Sequence, residues 1–149
     1  MKTEGNAASD VAEDLIRMLD PHKMTVGLDV WVQRKMRMVL FELAMRGYGR
    51  AQVISGKRTL SETERLYGIG RTEEELEDVN LSGVEARPWE KKVTWILPAF
   101  NRHVVGKAMD VDLTMYTALD FEAVAGIARC AGMIWGGEWS VRDTYHFEV

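Results

Sequence analysis

The feature that most constrains the fold is a long amphipathic segment from about Asp29 to Arg46. Apolar side chains recur along it at helical spacing and form one stripe, made of Val32, Met36, Val39, Leu40 and Leu43. Gly47 follows directly, and a glycine after the last periodic residue is a common stop signal for a helix. The segment therefore predicts a long helix that buries this stripe against a core.

The remaining elements predict a mixture of short helices and strands. An amphipathic helix over Asp10–Leu19 ends before Pro21, so residues 1–47 are expected to be helical and residues 48–149 to carry the rest of a single domain. Residues 72–92 are interpreted as an insertion or long loop with one helical turn. Helices are also predicted after Thr59 or Ser61 and after Asp120. The strand candidates are 52–55, 93–97, 108–113, 134–135 and 145–149. Because strands and helices do not alternate regularly, the sequence predicts an α+β fold with a small antiparallel sheet flanked by helices.

Charge and composition exclude several classes of protein. The net charge is −4, but five acidic residues fall within 73–78, and without them it would be +1. The cations Arg34, Lys35 and Arg37 are interpreted as a solvated helix face, and without a basic stripe no nucleic-acid partner is expected. No apolar run approaches the roughly 20 residues of a membrane helix, and the polar start lacks the apolar core of a signal peptide. Cys130 is the single cysteine, which excludes an internal disulfide, and we interpret it as a core residue.

Two of the three histidines lie where a metal site could form. His22 follows Pro21 in an expected turn and is interpreted as a surface residue. His103 lies in a loop that runs through Gly106 into a predicted strand carrying Asp110, and His146 lies on the last predicted strand. A catalytic zinc ion takes three protein ligands of nitrogen or oxygen and keeps one position open. Two histidines and one aspartate meet this requirement, although many proteins contain such a set by chance.

Several short motifs, taken in order, resemble one family of zinc peptidases that act on peptidoglycan. This family includes D-Ala-D-Ala carboxypeptidases, D-Ala-D-Ala dipeptidases and phage L-alanyl-D-glutamate endopeptidases. The similar segments cover roughly residues 53–149, apart from 72–92, and are Ser55–Thr59, Leu66–Arg71, His103–Asp110, Trp135–Trp139 and Asp143–Glu148. Each motif is short, but their combination and order are specific.

The resemblance implies a role for individual residues. It implies that His103, Asp110 and His146 bind one zinc ion, that Asp143 is the general base and acid, and that Arg58 polarises the carbonyl under attack. The residue types suit these roles, because zinc lowers the pKa of its water toward about 7, a carboxylate can carry the proton and an arginine can stabilise an oxyanion. Residues expected to contact substrate are Ser55, Glu138 and Trp139.

The sequence allows alternative roles for several of these residues. Residues 143 and 146 would face opposite sides of a straight strand, so Asp143 can serve only from a loop or bend before it. Glu138 and Glu148 are therefore alternative bases, and Asp112 is an alternative ligand on the same strand face as Asp110. The alternative for Arg58 is a surface ion pair. Trp135 is expected in the core and Trp139 at the cleft, where the two glycines between them would let a substrate backbone approach. The chain also departs from the family, with Asn101 in place of a serine and Thr63 or Glu64 in place of a glutamine.

The expected function is that of a monomeric zinc peptidase, with residues 1–149 as one peptidase domain. Within the family, the segment Trp135–Trp139 and the absent signal peptide favour a phage-type endolysin that cleaves the L-Ala–D-Glu bond of stem peptides. Such an enzyme would accumulate in the bacterial host cytoplasm and reach the cell wall after membrane permeabilisation. The alternatives are a D-Ala-D-Ala carboxypeptidase or dipeptidase, and a zinc-stabilised binding module without catalysis.

Overall fold

A computed structural model describes residues 4–149, and residues 1–3 of the predicted N-terminal region lie outside it. The helices are α1 Glu4–Leu19, α2 Val30–Leu43, α3 Leu60–Tyr67, α4 Glu73–Glu77 and α5 Phe121–Cys130. The strands are β1 Gln52–Ser55, β2 Ala108–Asp112, β3 Ile134–Trp135 and β4 His146–Glu148. The chain divides into two compact units, one formed by the chain up to Lys57 with Gly106–Val149, the other by Arg58–Val105. No helix within residues 4–149 has the length and apolar character needed to cross a bilayer.

The first unit holds a four-stranded antiparallel sheet in the order β1-β2-β4-β3. The register places Met109 opposite Phe147, which in turn lies opposite Trp135, and all three side chains are fully buried. Because side chains alternate across a strand, Asp110 and His146 lie opposite each other on the other face. The α+β class with a small antiparallel sheet is thus confirmed.

Helix α2 supplies much of the core, as its sequence pattern predicts. All five residues of the predicted stripe are fully buried, and they belong to one cluster that also contains Trp135 and Phe147. The helix ends in a wider turn over Ala44–Tyr48, where Gly47 has a φ of 94° that favours glycine. On α5, Val124, Ile127 and Ala128 are buried, whereas Cys130 is exposed. The interpretation of Cys130 as a core residue is therefore wrong, because it is two residues beyond Ala128 and so on nearly the opposite side of the helix.

Polar contacts shape the helices of the second unit. Helices α3 and α4 each begin with a capping box, formed by Thr59 with Glu62 and by Thr72 with Glu75. The buried Arg71 guanidinium donates to the carbonyl oxygens of Tyr67 at 2.6 Å and Thr94 at 2.8 Å. It also lies 3.6 Å from the centre of the Tyr67 ring. Within this unit, the motif Leu66–Arg71 therefore has a structural role, because Arg71 connects the end of α3 to the segment that carries Thr94.

The strand predicted over residues 93–97 is wrong. These residues form no strand in the structure, and Val93, Trp95 and Ile96 are exposed. Their composition suits a strand, but a strand also requires a neighbour with which to exchange backbone hydrogen bonds. Here the Thr94 carbonyl accepts from the Arg71 side chain instead. Residues 72–92 contain α4 followed by turns, with one isolated bridge between Ile69 and Arg87.

Candidate metal centre

The pairing of β2 with β4 brings two of the predicted ligands together. His146 Nδ1 lies 3.3 Å from Asp110 Oδ1, on the sheet face opposite the apolar core. An imidazole nitrogen and a carboxylate oxygen are both donor types that bind zinc. The strand register and the core side chains on the other face therefore fix two of the three predicted ligands.

The third predicted ligand, His103, lies in a loop whose backbone is held by hydrogen bonds. Its N–H donates to Asn101 Oδ1 at 2.9 Å, and its carbonyl accepts from the Arg58 N–H at 3.1 Å. The residue is buried, with 2% of its surface exposed. Asn101 stands where the resembled family has a serine, and its side-chain oxygen accepts a hydrogen bond within this loop.

These three residues form a group that could hold a metal ion. One ligand atom from each of His103, Asp110 and His146 lies within 4.8 Å of the others. The two histidines are buried and the aspartate is half-buried. Two imidazole nitrogens and one carboxylate oxygen suit zinc and leave its fourth position for water or substrate. The residues present therefore fit the ion that the sequence resemblance implies.

Glu148 determines how the His146 ring is held. Its Oε2 lies 2.8 Å from His146 Nε2, while Nδ1 faces Asp110. A carboxylate on the far nitrogen of a metal-binding histidine commonly orients the ring and strengthens it as a ligand. Glu148, considered from the sequence as an alternative base, thus has a contact suited to positioning. Glu148 is two residues from His146 on one strand, and this spacing alone places both side chains on the same face. The sequence therefore contained a signal for this contact.

The two carboxylates also change the proton affinity of His146 in the metal-free protein. Burial alone would lower its pKa, but the hydrogen bonds and negative charges of Asp110 and Glu148 outweigh burial. Together they raise the pKa of His146 from 6.5 to about 9. A metal ion must therefore displace a firmly held proton from this ring near neutral pH.

Asp143, the predicted base, precedes β4 in a tight turn. Its Oδ1 accepts from the Tyr145 N–H at 3.2 Å, and its carbonyl accepts from the His146 N–H at 3.3 Å. The carboxylate is exposed. Because the chain bends between residues 143 and 146, the opposite-face restriction of a straight strand does not apply. Asp143 thus lies in a bend before the strand, which is the position that a role as the base requires.

The glycines between Trp135 and Trp139 have internal roles. A Cβ on Gly136 would lie 2.4 Å from the carbonyl oxygen of Asp143, and one on Gly137 would lie 2.4 Å from the Trp135 ring. The Asp143 N–H also donates to the Gly136 carbonyl at 2.9 Å. The close approach expected of a substrate backbone is thus made by the chain itself at Gly136.

The remaining site residues are distributed around this sheet face and its neighbouring segments. The Trp139 ring is half-buried and lies 5.2 Å from the His146 ring, between ring centres. Ser55 is opposite Asp110 in the β1–β2 register. Glu138 is exposed and accepts from the Arg129 guanidinium of α5 at 2.5 Å.

Asp112 and Trp135 have structural surroundings. Asp112 accepts from the Thr114 N–H and hydroxyl, and these hydrogen bonds hold the pKa of Asp112 below its ordinary value. It therefore closes a turn after β2 rather than joining the ligand group. Trp135 is fully buried, as expected, and its indole N–H donates to the Thr144 carbonyl at 2.9 Å.

A sequence profile of a known protein family matches the part of the chain that carries most of the candidate site. Residues 97–149, which contain the three candidate ligands and Asp143, match the sequence profile of the D-alanyl-D-alanine carboxypeptidase family. The resemblance inferred from the motifs is therefore confirmed for this segment. A similar solved structure is that of the Serratia marcescens L-Ala D-Glu endopeptidase ChiX, with 21% identity and a TM-score of 0.47. That alignment covers 86% of this chain and 84% of the other. No curated protein sequence matches this chain.

Proposed function

We propose that this chain is a zinc-dependent peptidase that hydrolyses the stem peptides of peptidoglycan. The observation that carries the proposal is the grouping of His103, Asp110 and His146, whose ligand atoms lie within 4.8 Å of one another. The match of residues 97–149 to a peptidase family supports a catalytic role for this group over a purely structural one. In this proposal residues 1–149 form one peptidase domain and act as a monomer.

The side chains of the site have distinct tasks in this reaction. A bound zinc ion would supply Lewis acidity, which polarises a carbonyl and makes water a better nucleophile near neutral pH. Asp143 takes a proton from the attacking water and later delivers it to the amine that leaves. Arg58 donates hydrogen bonds to the oxygen that gains negative charge. Glu148 holds the His146 ring through Nε2 and leaves Nδ1 on the side of Asp110.

We assign the cleaved bond as that between L-Ala and D-Glu. The segment Trp135–Trp139, with Trp139 next to His146, resembles the endopeptidase branch of the family and supports this assignment. Ser55, Glu138 and Trp139 are the proposed substrate contacts. The matched family profile carries the description of a D-alanyl-D-alanine carboxypeptidase, so hydrolysis at the D-Ala end is the second candidate.

Defined muropeptides distinguish the two bonds. A muropeptide with a tripeptide stem contains the L-Ala–D-Glu bond but no D-Ala, whereas one with a pentapeptide stem contains both. Mass spectrometry of the products should show cleavage after L-Ala in both substrates. Release of D-Ala or of its dipeptide from the pentapeptide alone would instead establish the second candidate. Intact substrates in both reactions, with zinc present, would contradict the peptidase proposal.

Metal analysis tests the site separately from the bond. The purified chain should contain one zinc ion, and a chelator should abolish hydrolysis until zinc is restored. His103→Ala and His146→Ala should each lose the ion and the activity, since each removes one of the three ligands. Full activity after complete removal of zinc would overturn this part of the proposal.

The phage-type assignment concerns where the enzyme acts. We propose that it accumulates in the host cytoplasm and attacks the wall once the membrane is permeabilised. Adding the chain to bacteria with permeabilised membranes should cause lysis, whereas intact cells should resist. A non-catalytic binding module would keep its effect on cells when Asp143 is replaced by alanine, and the peptidase would lose it.

A further inference from the structure

A patch of exposed apolar side chains lies where the chain enters α2. Trp31 has 46% of its surface exposed, and Val26 and Val30 have 62% and 68%. Val26 belongs to a short 3-10 helix, Met24–Gly27, and Val30 is the first residue of α2. Single exposed apolar residues are ordinary on protein surfaces, but a cluster that includes an indole ring often marks an interaction site.

Two lysine ammonium groups lie near the Trp31 ring. The Nζ of Lys35 lies 6.0 Å from the ring centre, and the Nζ of Lys107 lies 5.8 Å from it. These lysines come from α2 and from the residue before β2, and the Lys35 ammonium also donates to the Gly132 carbonyl at 3.2 Å. Two separate segments thus place positive charge near one indole. Arg34 is exposed and three residues after Trp31, which places it on the same side of the helix. The first unit thus combines an apolar centre with a cationic rim.

Hydrogen bonds hold the backbone of this patch in place. The Gln33 side-chain amide donates to the carbonyl oxygens of Val26 at 2.9 Å and Leu28 at 2.7 Å. The Asp29 N–H donates to the Gly106 carbonyl at 3.3 Å, which connects the segment to the chain that leads into β2. The exposed valines are therefore presented by an ordered turn, and binding would cost little additional conformational entropy.

We propose that the patch of Val26, Val30, Trp31, Lys35 and Lys107 binds the surface of a bilayer that contains anionic phospholipid. Indole rings favour the level of the lipid headgroups, and lysines beside them can reach the phosphates while their methylene chains stay in apolar contact. Charge complementarity selects an anionic over a zwitterionic surface. The exposed valines favour lipid over a nucleic acid, because they offer nothing to hydrogen-bond with a phosphate backbone or a base.

Trp89 provides an internal contrast. It is more exposed than Trp31, at 76%, but it borders a cavity that is also lined by Glu73, Glu74 and Glu77. An anionic membrane would repel this acidic surrounding. Trp89→Ser is therefore a matched control for Trp31→Ser, since both remove one exposed indole and only one removes it from a cationic rim.

The test is co-sedimentation of the full chain with vesicles at low salt. Vesicles of phosphatidylglycerol and phosphatidylcholine in equal parts should bind the chain, and vesicles of phosphatidylcholine alone should not. Trp31→Ser should weaken the partition roughly tenfold, and Lys35→Gln and Lys107→Gln should each weaken it roughly fivefold. Trp89→Ser should leave it unchanged. Circular dichroism shows whether each variant is folded. If Trp31→Ser does not fold, the two lysine variants still test the proposal.

Three results would overturn the proposal. One is a lack of binding to the anionic vesicles, and another is equal weakening by Trp31→Ser and Trp89→Ser. The third is binding to heparin that is as tight as binding to the vesicles and insensitive to Trp31→Ser, which would identify a general polyanion site. None of these readouts depends on hydrolysis, so the membrane proposal and the peptidase proposal can fail independently.

Discussion

The strand pair β2–β4 and the loop 136–145 hold their candidate functional residues by different means. On the strands, Asp110, His146 and Glu148 occupy one face because Met109 and Phe147 are buried on the other. In the loop, Asp143 is held by a turn and by the absence of a side chain on Gly136. The difference suggests that apolar packing can fix the candidate metal ligands, whereas the proposed proton carrier is positioned by backbone contacts.

A substitution in the loop, at Asp143, should have the largest effect on catalysis. Asp143→Asn keeps the volume and the turn but removes the group that accepts the proton, so kcat should fall by about 10²–10⁴-fold. Zinc content and thermal stability should stay at the wild-type level, because the ligands lie on other residues. Measuring kcat and bound zinc on the same preparation checks this. Loss of zinc together with activity would mean that Asp143 supports the ligands instead.

A substitution on the core face of the strand pair, at Phe147, should have the largest effect on stability. Phe147 is fully buried between Met109 and Trp135, so Phe147→Ala should lower the free energy of unfolding by about 3–5 kcal/mol. Since the same strand carries His146 and Glu148, zinc affinity should fall as well, although no ligand is changed. Urea unfolding and zinc titration measure the two quantities. A large loss of stability with unchanged zinc affinity would show that the core does not fix the ligands.

The strand pair also predicts how the stability of the metal-free protein depends on pH. The pKa of His146 is raised from 6.5 to about 9, so its protonated form stabilises the folded state. This contribution, of roughly 3 kcal/mol, should be complete below pH 6.5 and disappear as the pH rises through about 9. The difference in melting temperature between the chelated wild type and chelated His146→Gln should shrink over that range. A difference that stays constant with pH would contradict the assigned contacts with Asp110 and Glu148.

A smaller effect is expected at Glu148, which contacts the candidate ligand His146. Glu148→Leu removes the acceptor at His146 Nε2 and should weaken zinc binding about 10–100-fold, whereas Glu148→Gln keeps an acceptor and should recover part of the affinity. Competition with a chromophoric chelator gives the dissociation constants. If Glu148→Leu abolished hydrolysis and left zinc affinity unchanged, Glu148 would be the base and Asp143 would not.

The same contrast explains what could be predicted from the sequence. The α2 stripe follows from periodicity, because burial of one face imposes it. The short strands at 52–55 and 134–135 were also predicted at their observed positions. The candidate ligand set was implied by the resemblance to a peptidase family, and the strand register brings Asp110 and His146 together. Contacts that depend on backbone approach leave no such pattern, so the internal role of Gly136 was not foreseen. The strand expected at 93–97 failed for a related reason, since composition does not reveal whether a partner strand exists.

Gly136 offers the finest test of the loop. A methyl group at this position would lie 2.4 Å from the Asp143 carbonyl oxygen, so Gly136→Ala must push the turn that carries Asp143. We expect kcat to fall about tenfold, because small displacements of a reacting group are costly, while zinc on the strands is retained. The matched control is Gly126→Ala on α5, where a new Cβ would contact nothing within 4 Å. That variant should keep full activity and gain up to about 1 kcal/mol in stability. Equal kcat in both variants would show that the close approach of Gly136 does not position Asp143.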